Sequence, residues 1–558
     1  MKKQRRRIYA ALLCSSMVLS LVSTPVSAAE TGQLTNPPTS TEGPGSPESA
    51  SGNEAAAILN GPYAALPVAN GVKEVATAEE LTAALADSSI SGITLKGDVE
   101  ISSTLTVNRT VTLDLNGNVL KMTGGFSVIK VESGGDLTIA DSTPNKVHKF
   151  NPNYTDMWGC GLWKLDKDTG TEIVSGGGGV LVNVGGKLTM TGGSIVGCSA
   201  GGLGGGVHLA YDSSIGKSST FTMTGGSIIG CAAKNGGGVS VSPGCTFTMG
   251  SGSEIRNCNA QSGGGGVDIS ALWNSNTIGC FIMNGGTIRT CTGLYGGGVY
   301  NSGSFIMSGG TIKASISTTP QYASSGGVWN DNQFTMTGGT IGDPGNPNDA
   351  SSVYNTSSQK TTLTISGNAK IYTNVTNVGI LNADGGEMSG DITIGGNAQV
   401  TAVSRDDGAG IGSGDSGKMS GDITIGDDAR VTAWSEDGGA GIGSGREGKV
   451  SGSITIGDNA QVSAGSDRDG AGIGGGKKGS ITSTGRIIIR GSAKVTAIGE
   501  DEGTGIGPGE DKKMEGLIII QDNAQVTAIA GDCAAAIGSD DRYEMTGTII
   551  IIGNVRIT

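Results

Sequence analysis

Leu188-Thr189-Met190-Thr191-Gly192-Gly193-Ser194-Ile195 decides the fold, because it returns in variant form around Met223, Met249, Met283, Met307 and Met336. In an extended Phe221-Thr222-Met223, successive side chains point to opposite faces, which puts Phe and Met together and Thr on the other side. Equivalents recur at Phe247/Met249, Phe281/Met283, Phe305/Met307 and Phe334/Met336, so five of the seven phenylalanines occupy one repeat position. That confinement predicts an internal stack of rings. A second strand follows the Gly-Gly turn, as in Ser227-Ile228-Ile229, and a third follows Gly-Gly-Gly-Val at Val207, Val239, Val267 and Val299, with a shortened form at Val328. Such a unit cannot bury its apolar face alone and must stack on its neighbours. The reading is an all-β chain, a parallel β-helix (solenoid) with three short strands per coil. One repeat, Gly250-Ser251-Gly252-Ser253-Glu254-Ile255, carries an extra residue and predicts a bulge.

A second array repeats more strictly. Val400, Val431, Val462, Val495, Val526 and Ile557 are separated by 31, 31, 33, 31 and 31 residues. Turn positions Asn397, Asp428, Asn459, Ser492, Asn523 and Asn554 are of types that tolerate left-handed backbone and hydrogen-bond to their copies above and below. The isoleucines Ile411, Ile442, Ile473, Ile506 and Ile537 are expected to stack inside.

The chain divides accordingly. Residues 1–28 carry Lys2, Lys3, Arg5, Arg6 and Arg7, an apolar run from Ile8 to Val22 and Val26-Ser27-Ala28, the pattern of a secretory signal peptide. Residues 29–72 are rich in Pro, Ser, Thr and Gly and read as a disordered tether. Residues 73–140 are expected to form the capped start of the solenoid. Thr77 and Glu80 make a capping-box pattern there, and Leu81 and Leu85 share a helical face, so a short helix would cover the open strand edge. An insertion at 141–178 holds His148, Tyr154, Trp158, Cys160 and Trp163. Arrays one and two then occupy 179–362 and 363–558. The chain stops at Ile557-Thr558 after a second strand, and that open edge is expected to pair end to end with another copy or to continue into further coils.

The net charge is −13, and −18 without the five basic residues of the leader, which argues against nucleic acid and anionic membrane as partners. No segment after the leader has the roughly 18 consecutive apolar residues of a membrane span. Secretion to the exterior or the cell surface is the expectation. Of the cysteines beyond the leader, Cys198, Cys231, Cys258 and Cys291 recur at one repeat position. A buried thiol ladder is expected there, with disulfides as the alternative, because stacked parallel side chains suit the disulfide torsion badly.

The stacked Phe and Met, the Gly-Gly turns, the Asn ladder and the cap helix together resemble the right-handed parallel β-helix proteins of bacterial surfaces, which share a pectate-lyase-like fold. Gly296-Gly-Gly-Val-Tyr-Asn-Ser-Gly-Ser-Phe305 is also similar to the Gly-Gly-x-Ile repeats of polymorphic outer-membrane adhesins. The resemblance spans roughly residues 73–558 and implies right-handed coiling and an adhesive role. It does not extend to regular Phe-x-x-Asn tetrapeptides.

Several motifs invite a chemical reading. Gly412-Ser-Gly-Asp-Ser-Gly417-Lys418-Met419 nearly matches a phosphate-binding loop, yet Met419 stands where Ser or Thr is required and the next coil repeats the motif. Acidic loops at Asp406/Asp407, Glu436/Asp437, Asp467/Asp469, Glu500/Asp501/Glu502 and Asp540/Asp541 could gather Ca2+, but Arg405, Arg468 and Arg542 interleave and favour a solvated turn without a cofactor. The residue after each Gly-Gly-Val points outward: His208, Ser240, Asp268, Tyr300 and Trp329. Tyr300 and Trp329, on neighbouring coils, could form a flat platform for a sugar ring, the alternative being a decorated sheet or packing beneath a loop, and Trp158 and Trp163 in the insertion are the other ligand-binding candidates. His208 and Asp268 fall about 10 Å apart by strand spacing, too far for an acid–base pair. A polysaccharide lyase or glycoside hydrolase would need grouped carboxylates, and only Asp268, Asp331, Arg256 and Arg289 stand out, scattered. The expectation is therefore a non-enzymatic surface or secreted adhesin contacting extracellular glycans or host and bacterial surface components. A glycan lyase or hydrolase and a plain spacer are the alternatives.

Overall fold

The computed structural model describes residues 71–123, 125–144, 178–212, 217–272, 276–317, 326–343, 353–355, 361–372, 380–382, 387–388, 390–404, 407–539 and 545–558. The leader, nearly all of the tether and the greater part of the 141–178 insertion lie outside these residues.

Among the described residues the strands stack in parallel register, and one 14-stranded sheet gathers the third strands of successive coils from Leu105–Val107 to Ile506–Gly507, with Ile537 of the last coil joined to Ile506 by a single bridge. The first and second strands of the coils form a 28-stranded sheet. The two arrays are continuous: Phe334 pairs with Leu363 and Leu363 with Ile392, so the aromatic file of array one becomes the Leu/Ile file of array two without a break. A fourth, two-residue pairing joins the three expected strands. It runs through Ala232–Ala233, Asn259–Ala260, Thr292–Gly293 and Ile316–Ser317 in array one.

The interior is the set of files that the alternation predicts. Phe221, Phe247, Phe281, Phe305 and Phe334 stack with centroids 4.8, 4.8, 5.0 and 4.6 Å apart and planes within 9° of parallel. All five rings are fully buried, as are Met223, Met249, Met283, Met307 and Met336 beside them. The bulge lies where the extra residue stands, between the pairs Met223–Met249 and Gly225–Gly252. Ser253, buried by the bulge, donates from Oγ to the Met223 carbonyl at 2.8 Å, so the displaced strand leaves no unpaired hydroxyl there.

The thiol ladder forms. Cys198, Cys231, Cys258 and Cys291 are buried and unbridged. The last three donate both to the carbonyl two residues earlier and to one on the preceding coil, as Cys231 Sγ does to Ile229 O at 3.5 Å and Ile195 O at 3.8 Å. Burial pushes the Cys231 and Cys291 thiols up, so they stay protonated inside the core.

The helix Ala78–Ala86 has Thr77 as its N-cap, and Leu81, Ala84 and Leu85 turned inward. Strand Val72–Val75 precedes it and pairs with Gly92–Leu95, so the sheet begins one strand earlier than the alternation from Ile93 suggests, and Val72 belongs to it. Arg109 donates from Nε to Leu85 O at 3.1 Å and from Nη2 to Ala84 O at 2.9 Å. A cation on the last carbonyls of a helix satisfies them and complements the helix dipole.

The turn ladder of array two is offset by one residue from its expected place. Left-handed backbone falls on Gly396, Asp427, Asp458, Gly491, Asp522 and Gly553, each just before the Asn/Asp/Ser file. The displaced Asp side chains explain the choice: Asp427, Asp458 and Asp522 accept from the N–H of Gly396, Asp427 and Gly491 one coil back, at 2.7, 3.1 and 2.9 Å. The expected file still bonds to itself at Asn459 Nδ2 to Asp428 Oδ1, 3.2 Å.

Candidate functional site

In each third strand of array one the flanking residues point inward, as Val207 and Leu209 do, so the middle residue faces out. Register then aligns His208, Ser240, Asp268, Tyr300, Trp329 and Tyr354 on six successive coils. This file faces outward, yet much of it is covered.

Asp268 is 1% exposed, with Gly264 N donating to its Oδ2 at 3.3 Å and Ser270 Oγ to its Oδ1 at 3.2 Å. The loop before the strand lies directly on the carboxylate, so closely that a Cβ on Gly263 would collide with Oδ2. Burial pushes the Asp268 carboxyl up to about 6, against the two hydrogen bonds that favour its charged form. On the preceding coil the buried Ser240 Oγ has no partner among the described residues. His208 lies within 3.3 Å, by Nε2, of Ser242 Oγ, and burial lowers its pKa, which keeps the ring neutral near pH 7.

Of the two arrangements open to Tyr300 and Trp329, the structure shows packing beneath a loop and not an open platform. Trp329 is 9% exposed, wedged between Tyr354 on the next coil (centroids 4.1 Å, tilt 31°) and Tyr295 from the preceding loop (4.9 Å, 58°). Tyr295 also tilts against Tyr300 at 5.8 Å. The physical reason is the position of Tyr295 just before the Gly296-Gly-Gly turn, which folds its ring back over the strand and covers the indole. What remains accessible is a tilted surface of Tyr295 and Tyr300. Burial first, then the Asp331 and Asp268 carboxylates, push the Tyr300 hydroxyl above its ordinary range and keep it a hydrogen-bond donor.

The other candidates separate. Arg256 and Arg289 lie on the 28-stranded sheet and Asp268 on the 14-stranded one. The two arginines clamp Glu254 instead, at 3.0 and 2.7 Å. The phosphate-loop look-alike is a coil corner. Lys418–Met419 is a short strand paired with Lys449–Val450, Met419 is buried, and Ser416 N donates to Arg446 O of the next coil at 2.6 Å. A phosphate cradle needs those N–H groups free and a following helix.

The acidic loops at Asp407, Asp437 and Asp469 carry their own cations: Arg446 on Asp407 at 3.1 Å, Arg468 on Asp437 at 3.1 Å, and Lys477 between Asp469 (2.6 Å) and Glu510 (3.4 Å). Trp158 and Trp163, with His148, Tyr154 and Cys160, lie outside the described residues, as do Asp406, Arg405, Asp540, Asp541 and Arg542.

Comparison with known proteins bears on the capped start. Residues 72–161 match the pectate lyase-like adhesive domain family. The match takes in the helix, its Arg109 clamp and the first coils. Of solved structures, one titled "L. reuters 100-23 SRRP" covers 88% of this chain and 99% of its own, at 11% identity and a TM-score of 0.19, too slight a superposition to bear on the reading. No curated protein matches the chain significantly.

Two features escaped the sequence reading. Trp434 lies over Gly465, where any Cβ would collide with the indole, and its Nε1 donates to Asp467 Oδ1 at 2.7 Å. The signal was the exchange of Trp434 for Gly465 at one repeat position. A buried asparagine ladder also closes the third strands, with Asn301 Nδ2 on Asn330 Oδ1 at 2.7 Å, and the recurrence of Val-Tyr-Asn and Val-Trp-Asn announced it.

Proposed function

We propose that this chain is a non-enzymatic adhesive β-solenoid of the bacterial exterior, contacting extracellular glycans or surface components through its lateral faces. The observation that carries the reading is the match of its helix-capped first coils to an adhesive domain family. The chemistry of the outward file agrees with it. Asp331 and Asp268 both lie near Tyr300, but Asp268 is buried beneath Gly263 and Gly264, whereas hydrolysis of a glycoside uses two carboxyl groups about 5–9.5 Å apart that both reach the substrate. Tyr295 and Tyr300 offer ring faces and hydroxyls, the combination that meets the CH face and the OH groups of a sugar. The secretory leader expected over residues 1–28 accords with an exterior location.

The test is a screen of the purified chain on a glycan array, with Ca2+ and with chelator, alongside assays of the bound polysaccharides for new reducing or unsaturated ends. Retention without new ends is the expected result. New ends would replace the reading with a lyase or hydrolase, and no retention on any glycan would replace it with a spacer.

A further inference from the structure

The outer face of the second strand in array two repeats three kinds of side chain on every coil. Its first file runs Lys370, Gln399, Arg430, Gln461, Lys494, Gln525 and Arg556, aligned by register from coil to coil. Cation and amide alternate strictly. The second file is hydroxyl: Thr401, Thr432, Ser463, Thr496 and Thr527. The third is apolar, Val403, Trp434, Gly465, Ile498 and Ile529, with the Trp434 indole lying over the gap at Gly465.

The cations stand out in a chain of net charge −13. All four are exposed, and none has an ion pair with a described residue. The carboxylates closest in sequence are otherwise engaged: Asp427, Asp458 and Asp522 hold backbone N–H groups of the preceding coil, and Asp428 accepts from Asn459. A row of exposed cations without direct ion pairs, on an otherwise acidic protein, offers a place where an anion can bind.

Spacing identifies the anion. Coils advance by one strand spacing, so cations on every second coil stand about 9.6 Å apart, close to the length of one disaccharide in an extended polysaccharide. We propose that this face binds an extended anionic polysaccharide lying parallel to the solenoid axis, with one carboxylate per disaccharide. Each carboxylate meets a cation of the first file, and the intervening sugar meets a glutamine amide. Ring hydroxyls lie along the Thr/Ser file, and the CH faces rest on Val403, Trp434 and the exposed Ile529. A nucleic acid strand carries its phosphates at shorter intervals than these cations. The inference rests on the glycan-contact reading above and gives it a ligand class and a second location.

The experiment measures binding of the full chain to immobilised hyaluronan, in which uronic acid alternates with a neutral sugar. Alginate (a carboxylate on every sugar), dextran (none) and single-stranded DNA are the comparisons, each at low and high salt. The double variant Arg430→Gln/Lys494→Gln puts at both places the residue that already occupies alternate coils, so the fold is kept. Hyaluronan is expected to bind best and to weaken with salt, and the variant to lose roughly two- to fivefold for each cation removed, about tenfold in all. Gln461→Lys should shift preference towards alginate. Unchanged hyaluronan binding by the double variant would overturn this site while leaving the glycan-contact reading intact. DNA bound as tightly as hyaluronan would overturn the ligand class. Failure to bind any of the glycans would overturn this inference, and silence on the wider array would then remove the functional reading as well.

Discussion

Replacing Phe281 by Ala tests the internal stack. The ring is fully buried and lies between Phe247 at 4.8 Å and Phe305 at 5.0 Å, within 5° of both planes. Truncating a buried Phe costs about 3–5 kcal/mol, more where the walls cannot collapse. The walls here are two rings fixed by their own coils, and each lost ring contact adds about 0.5–1.5 kcal/mol beyond burial. A loss near the upper limit, about 4–5 kcal/mol, is expected. Phe281→Leu should cost far less, about 1.5 kcal/mol, because Leu already fills this file at Leu137, Leu188 and Leu363. Urea unfolding followed by circular dichroism gives both numbers, the slope of the transition showing whether the whole solenoid still unfolds together. A loss below about 1 kcal/mol for the Ala variant, ordinary for a surface change, would refute the reasoning. So would a Leu variant as impaired as the Ala variant.

Gly443→Ala places a Cβ against the Gly474 carbonyl at a φ of +140°, so the melting temperature should fall by more than the small change a tolerated Gly→Ala gives; an unchanged melting point would show that the coils yield there. Asp268 makes stability depend on pH with a definite sign. Its folded pKa of about 6 lies above the ordinary 3.8, so the folded state holds the proton more tightly and stability falls as pH rises from about 4 to about 6, by about 3 kcal/mol in all. Asp268→Asn should flatten that slope in melting scans, and a slope left unchanged by the substitution would exclude Asp268 as its source. Native thiol labelling read by peptide mass spectrometry should modify exposed Cys533 and spare Cys198, Cys231, Cys258 and Cys291 until denaturant is added, whereas disulfide-linked peptides among those four would overturn the thiol ladder.

The interior was legible because it is made of local alternation and repetition. Phe–Thr–Met announces which side chains go inside, and a register slip of one residue would send the whole set to solvent. The bulge at Gly250–Glu254 was legible for the same reason, as one residue too many in an otherwise fixed repeat. What escaped depends on contacts that no local pattern encodes. Arg109 reaches a helix more than 20 residues earlier through side-chain bonds to bare carbonyls. Trp329 faces outward as alternation requires, but the loop residue Tyr295 covers it, and strand periodicity says nothing about loops. The left-handed turn residue of array two is Asp427 and not Asp428, because an Asp one residue earlier can accept from the Gly396 N–H of the preceding coil. The alternating cation file was present in the spacing of Lys370, Arg430 and Lys494, and became meaningful only once register placed these residues on one exposed face.

The most direct test of the central claim couples adhesion to the fate of the glycan. Beads carrying the full chain are held against an immobilised polysaccharide under flow, and the length distribution of that polysaccharide is measured before and after. The adhesive reading predicts beads that resist the flow on a glycan of unchanged length; a shortened glycan, or beads that wash away from every glycan offered, would contradict it.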